Sequence, residues 1–144
     1  MVYFPAQKVV ATGDIVTTNR ADDNPNLHAE KNGSAEGWLR DVKGMIGLNA
    51  DVYVTGHGDV ATKADLQRKL TLTTERRAKI AAMVKEGKSL ADIKAALPDA
   101  PAPGAAPPAA QAAGGRAGAP PAGGRGPQPG FVDLVYSELT HKTT

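Results

Sequence analysis

The stretch that decides the fold is DVYVTGHGD, residues 51–59, where a strand-favouring run leads into a turn with His57 between two glycines. An earlier stretch, KVVATGD at residues 8–14, has the same design and ends on Gly13 and Asp14. Val and Tyr favour β-strands, and ligands of α/β proteins bind beyond the carboxyl ends of strands. Both turns are therefore candidate binding loops, and the elements around them decide whether they meet.

A β-hairpin is predicted to lead into the first turn. Residues 2–4 (VYF) and 8–12 (KVVAT) are short β-favouring runs, and the Pro-Ala-Gln between them favours a tight turn. Residues 17–33 are rich in Asn, Asp and Thr and predict a long surface loop. Loops of that length in a compact domain are often functional.

A helix is predicted between the two turns. Ser34 is a suitable N-cap, with Glu36 in the first turn. One apolar face follows at helical spacing, formed by Trp38, Leu39, Val42, Met45 and Ile46. Trp38 could stack on a substrate, but its place on this face favours a core role. A strand, a helix and a second strand in this order predict an α/β layered fold.

Three further helices are predicted. Thr62 and Asp65 form a variant capping box for a helix from Lys63 to about Glu86. Its buried side is predicted to contain Leu66, Leu70, Ile80, Met83 and Val84. Its basic residues are predicted to form a solvated face rather than a nucleic-acid patch: Arg68, Lys69, Arg76, Arg77 and Lys79.

Ser89 caps a shorter helix that Pro98 ends. FVDLVYSEL, residues 131–139, predicts a last, amphipathic helix that packs back onto the domain. Its buried side is predicted to hold Phe131, Leu134, Val135 and Leu139.

Composition divides the chain into three parts. Residues 98–130 are almost entirely Pro, Ala and Gly and cannot form a packed core. We predict a folded part over residues 1–97, a disordered Pro/Ala/Gly-rich linker over 98–130, and a short helix with a tail over 131–144. The linker's two GGR sequences are too few, without aromatic residues, to predict RNA binding.

The bulk properties exclude several classes of protein. The net charge is +2 and no cysteine is present, which excludes disulfides and zinc sites with Cys ligands. No apolar stretch approaches the roughly 18–20 residues of a membrane span, and the N-terminus has no signal-peptide pattern. The compartment is left open.

The residues at the two turns favour a metal site. A carboxylate (Asp14) and an imidazole (His57) are common zinc ligands, and flanking glycines permit positive φ and leave room for a metal and its substrate. The alternative is that both are simply tight turns. His28, in the long loop, and His141, near the end, have no partner at ligand spacing.

The ordered set TGD, long loop, GSAEGWL helix, DVYVTGHGD and long helix resembles the C-terminal half of the metallo-β-lactamase superfamily. The resemblance covers roughly residues 1–97 and 131–139. It implies a partial αββα sandwich, one β-α half, in which Asp14 bridges two zinc ions and His57 binds the second. It also implies hydrolysis of an ester, thioester, β-lactam or phosphodiester by a zinc-bound hydroxide in the intact domain.

The sequence also departs from that family. The HxHxDH motif, and the histidine that follows it, are absent from these 144 residues. We therefore expect a truncated zinc-dependent hydrolase with little or no activity by itself. The alternative is a non-catalytic binding or assembly module with the half-domain fold. The expected partners are a small-molecule substrate once the site is completed, and a second copy or a complementary half that covers an exposed sheet face. Neither nucleic acid nor membrane is expected as a partner.

Overall fold

The chain forms a three-stranded sheet with four helices, an α/β arrangement. The computed structural model describes residues 1–19, 24–25, 27, 32–99 and 129–141. His28 and residues 100–128 of the predicted linker lie outside this part. In chain order the elements are β1 (Val2–Phe4), β2 (Val9–Gly13), α1 (Ala35–Gly47), β3 (Val52–Thr55), α2 (Lys63–Lys85), α3 (Leu90–Ala96) and α4 (Phe131–His141).

The sheet confirms the predicted hairpin and the strand–helix–strand unit. β1 and β2 pair antiparallel, and their turn is closed by a 3.3 Å bond from the Lys8 N–H to the Pro5 carbonyl. β3 pairs with β2 in parallel, a connection that requires a crossover element, here α1. The carboxyl ends of β2 and β3 therefore meet at one edge of the sheet.

Helix α1 packs on one face of this sheet. The Ser34 hydroxyl caps it by accepting the Gly37 N–H. Trp38 is buried in the cluster between α1 and the sheet, which confirms its core role. The fully buried members of that cluster include Val10, Val16, Val42, Met45, Tyr53 and Leu66. The Tyr53 hydroxyl donates to the Met45 carbonyl at 3.3 Å, and burial raises the pKa of Tyr53.

A second apolar cluster lies beneath α2, α3 and α4. Its buried members are Ala35, Ile80, Ile93, Phe131, Val132 and Val135. Helix α4 thus packs back onto the folded part, as predicted, but the predicted face is wrong at one position. Leu134 is only half-buried and lies outside the cluster, whereas Val132 is fully buried. Because α4 contacts both α2 and α3, its buried stripe is centred near Val135 and leaves Leu134 at the margin.

Two capping boxes fix the starts of α2 and α3. Asp65 accepts the Thr62 backbone N–H at 2.8 Å and Asp92 accepts the Ser89 backbone N–H at 3.1 Å, with the reciprocal bonds present. Bonds from these hydroxyls and N–H groups favour the ionised carboxylates, and they hold the pKa of Asp65 and of Asp92 below the ordinary value. The sequence prediction of a capping box at Thr62 is confirmed.

The prediction of a solvated basic face on α2 is wrong for several residues. Lys69 is buried, and the Arg76 and Arg77 side chains are only partly exposed. Arg76 Nη2 donates to the carbonyls of Leu97 and Pro98 and to Asp99 Oδ1, at 3.0, 3.0 and 2.9 Å.

The same guanidinium lies 5.7 Å from the centre of the Phe131 ring. Asp99 Oδ2 in turn accepts the Val132 N–H at 3.3 Å. Asp99 therefore bonds both to Arg76 on α2 and to the first turn of α4.

The face of the sheet opposite α1 is apolar and exposed. In the strand register, Val2 and Phe4 lie beside Ala11 and Val9, which in turn lie beside Val54 and Val52. The side chains that alternate with these point into the core, as the burial of Val10 and Tyr53 shows. Four members of this set remain exposed in the described chain: Val2, Phe4, Val52 and Val54. Among the described residues, no helix has the length and apolar character to cross a bilayer.

The Arg76 contacts predict a clear loss of stability in an Arg76→Met variant. The variant keeps the apolar stem but removes hydrogen bonds to a carboxylate and two carbonyls, so the free energy of unfolding should fall by about 2 kcal/mol. Urea unfolding followed by circular dichroism measures the change. The matched control is Arg40→Met, because that side chain is 80% exposed in its pair with Asp41. The control should change stability by less than about 0.5 kcal/mol, and an equal loss in both variants would contradict the assignment.

Candidate metal centre

The sheet brings the two glycine turns together. Gly13 at the end of β2 pairs with Thr55 at the end of β3, so the residues that follow both strands leave the sheet side by side. Asp14 Oδ1 lies 3.4 Å from His57 Nε2. Both side chains are more than half exposed, at 52% and 61%. The two predicted site residues therefore share one surface, where solvent and small ions have access.

Backbone hydrogen bonds join the two turns. The Gly56 N–H lies 3.0 Å from the Gly13 carbonyl and 3.2 Å from the Val16 carbonyl. The Thr12 hydroxyl oxygen lies 3.0 Å from the Gly13 carbonyl and 3.2 Å from the Val54 carbonyl of the neighbouring strand. These bonds hold the main chains of the two turns next to each other.

The glycines beside His57 have a steric role that the sequence alone did not show. Gly58 has a positive φ of 93°, as expected from the turn, but Gly56 is not among the residues with positive φ. A Cβ at Gly56 would instead lie 2.2 Å from Asp14 Oδ1 and 2.8 Å from the Asp14 nitrogen. Gly56 is thus needed because the Asp14 turn approaches its backbone closely.

Two threonines that the sequence analysis did not single out hold the His57 turn. Thr18 donates its backbone N–H to the His57 carbonyl at 2.9 Å. The hydroxyls of Thr18 and Thr55 each lie within 3.5 Å of the His57 and Asp59 carbonyls. The sequence does show Thr55 two residues before His57 and Thr18 four residues after Asp14. Threonines are common in loops, so these positions alone do not indicate a role at the site.

Trp38 connects α1 to the Asp14 turn. Its indole Nε1–H donates to the Ile15 carbonyl at 2.6 Å, while its ring belongs to the core cluster. The Asp14 turn is therefore held by two sets of bonds. Trp38 of α1 bonds to Ile15, and Gly56, directly after β3, bonds to Gly13 and Val16.

A cavity of about 540 Å³ opens beside Asp14. Its walls come from the Asp14 turn and from the first turns of α1, including Ser34, Gly37, Trp38 and Arg40. This space gives a small molecule access to the Asp14 carboxylate.

The remaining histidines do not complete a ligand set in the described chain. His141 is the last residue of α4 and is exposed, and His28 lies outside the described residues. Among the residues that the structure describes, no group of three or more His, Cys, Asp or Glu side chains is placed to hold one metal ion. Asp14 and His57 thus form a pair.

One family model matches the N-terminal part of the chain, as far as His57. The family model of the metallo-beta-lactamase superfamily matches residues 1–57. The resemblance inferred from the sequence is confirmed over that segment; its extension to residues 58–97 and 131–139 stays a prediction. Searches of curated proteins and of solved structures returned no significant match.

The close approach at Gly56 predicts opposite effects for two Gly→Ala variants. Gly56→Ala places a methyl against Asp14 and should lower the free energy of unfolding by about 2 kcal/mol or more. Gly44→Ala, within α1, meets nothing within 4 Å and should raise stability by about 0.5–1 kcal/mol, because alanine favours helices. Urea unfolding measures both. A Gly56→Ala variant as stable as the unsubstituted protein would contradict the contact between the turns.

Proposed function

We propose, from the match of residues 1–57 to the metallo-β-lactamase superfamily, that this chain carries part of the active site of a zinc-dependent hydrolase. Asp14 and His57 would be two of its metal ligands. The fold we propose is a partial αββα sandwich, one β-α half spanning residues 1–97, with α4 packed against it. The observation that carries the proposal is the 3.4 Å separation of Asp14 Oδ1 and His57 Nε2.

That separation fits two ligands of one zinc ion. Oxygen and nitrogen ligands lie about 2.0–2.2 Å from zinc in a tetrahedral arrangement, which places neighbouring donor atoms roughly 3.4 Å apart. A direct N–H···O hydrogen bond is shorter, about 2.7–3.2 Å. The exposure of both side chains leaves space for the ion and further ligands. The separation is therefore compatible with two ligands of one ion, and equally with an exposed ion pair between Asp14 and His57.

The two side chains would have different roles as metal ligands. Asp14 would hold the metal ions through its carboxylate. His57 can offer Nε2 to one of them when the imidazole is neutral. Zinc supplies Lewis acidity and an activated water near neutral pH. The cavity beside Asp14 would admit the ester, thioester, β-lactam or phosphodiester that such a centre hydrolyses.

The described pair supplies only part of a catalytic site. Catalytic zinc generally takes three protein ligands and leaves one position for water, and these 144 residues contain no HxHxDH motif. We propose that a complementary half of the domain supplies the other ligands. We therefore propose weak zinc binding, and little or no hydrolysis, by this chain alone.

A second candidate function is a non-catalytic assembly module. The exposed apolar face of the sheet favours it, because contiguous exposed apolar surface commonly marks an interaction site. A complementary half-domain or a second copy of the chain could cover this face. A complementary half-domain could also bring further ligands to Asp14 and His57, so the two candidate functions differ in whether a metal is held.

Zinc titration tests the ligand pair. The imidazole resonances of His57 in NMR spectra should shift during titration of the unsubstituted chain. Asp14→Ala and His57→Ala should each weaken zinc binding at least tenfold, because each removes one of two ligands. Asp51→Ala and His141→Ala are matched controls and should leave the affinity unchanged. Equal affinity in all four variants would contradict the ligand role, and turnover of a generic ester by the chain alone would contradict the partial site.

Association through the sheet face is tested by light scattering coupled to size-exclusion chromatography. The mass of the unsubstituted chain should rise with concentration, and Val54→Lys should return it to the monomer. Leu72→Lys is the matched control, because Leu72 on α2 and Val54 are both 43% exposed. A monomer at every concentration, or the same effect from both variants, would count against this face as a self-association surface.

A further inference from the structure

We propose that Thr18 and Thr55 are positioning residues for His57. Their hydroxyls fix the glycine turn that presents the imidazole to Asp14. This inference rests on the proposed ligand role of His57 and adds to it the means by which the ligand is oriented.

Three donor groups lie within 3.5 Å of the His57 carbonyl oxygen. Thr18 approaches it with its backbone N–H at 2.9 Å and its hydroxyl at 3.4 Å, and the Thr55 hydroxyl lies at 3.2 Å. The same two hydroxyls lie 2.8 and 2.9 Å from the Asp59 carbonyl. Each hydroxyl has one proton to donate. Two protons thus face two carbonyls, on either side of Gly58.

His57 needs this support because little else restrains it. Its side chain is 61% exposed, so core packing does not fix the imidazole. The glycines on both sides give the backbone wide conformational freedom. Bonds to the carbonyls of His57 and Asp59 hold the main chain of the turn at both ends, and the direction of the His57 Cα–Cβ bond follows from them.

The contact with Thr18 is close enough to require Gly58. A Cβ at Gly58 would lie 2.3 Å from the Thr18 hydroxyl oxygen and 2.8 Å from the Asn19 nitrogen. The turn is therefore pressed against the segment that follows Asp14. That segment carries one proposed ligand, Asp14, and four residues later the hydroxyl that orients the other. A shift of Thr18 would change the separation of the two ligand atoms directly.

The test must separate the loss of the threonine hydroxyls from a change in side-chain shape. Thr18→Val and Thr55→Val keep the branched shape and remove the donor. Thr18→Ser and Thr55→Ser keep the donor. Thr74→Val is the matched control, because the Thr74 hydroxyl also donates to a backbone carbonyl, that of Leu70, at 2.7 Å, but on helix α2.

The first experiment uses the metal-free chain. NMR ¹⁵N relaxation reports the order parameter of the backbone amides of His57 and Gly58, which should be near the rigid value of about 0.85 in the unsubstituted protein. In Thr18→Val and Thr55→Val it should fall toward about 0.6, and the serine variants should restore it. Thr74→Val should leave it unchanged. Unchanged order parameters in both valine variants would overturn the positioning role, whatever the metal does.

The second experiment titrates each variant with zinc and follows the His57 imidazole resonances. Removal of groups that orient a metal ligand typically weakens metal binding about 10–100-fold. We expect at least a tenfold loss in Thr18→Val, rescue by Thr18→Ser, and no loss in Thr74→Val.

The His57→Ala variant separates the two ideas; because it has no imidazole at position 57, its zinc affinity is measured by isothermal titration calorimetry, alongside the unsubstituted chain. If it binds zinc normally, the proposed ligand role fails, and the relaxation data alone decide whether the threonines order the turn. If it loses zinc but Thr18→Val and Thr55→Val do not, the ligand role stands and the positioning role is overturned.

Discussion

The parallel pairing of β2 with β3 is the interaction on which the rest of the structure depends. It makes two strands, separated by helix α1 in the chain, end at the same edge of the sheet. An antiparallel pairing would send the second turn to the opposite edge and leave Asp14 and His57 apart. The pairing in turn depends on α1, whose buried face fills the space above the sheet with Trp38, Val42 and Met45. Core packing, strand direction and the candidate site are thus linked in one short segment.

Much of this arrangement could be predicted from local sequence signals. Glycine after a strand-like run, a serine before an amphipathic helix, and the Thr62–Asp65 pair each act within a few residues, and their elements are found within a residue or two of the predicted bounds. The sequence places Asp14 and His57 each at the end of a strand, and they converge because β2 and β3 are parallel. Their role as zinc ligands stays a prediction.

The features that escaped prediction depend on contacts between distant parts of the chain. Nothing local to Arg76 indicates that its guanidinium will meet carbonyls some twenty residues later, and a run of basic residues ordinarily indicates a solvated face. Val132 rather than Leu134 is buried because α4 contacts α1, α2 and α3, and helical periodicity alone does not fix which neighbours a helix meets. Thr18 and Thr55 are polar loop residues like many others. Their importance emerges only where the structure places two carbonyls beside them.

The bond from the Trp38 indole to the Ile15 carbonyl has a practical consequence for following the site. The chain has a single tryptophan, and its ring nitrogen touches the main chain one residue from Asp14. Any ligand that displaces the Asp14 turn would alter the polarity around that indole. The tryptophan fluorescence of the protein can therefore be used, without an added label, to follow ligand binding at the candidate centre.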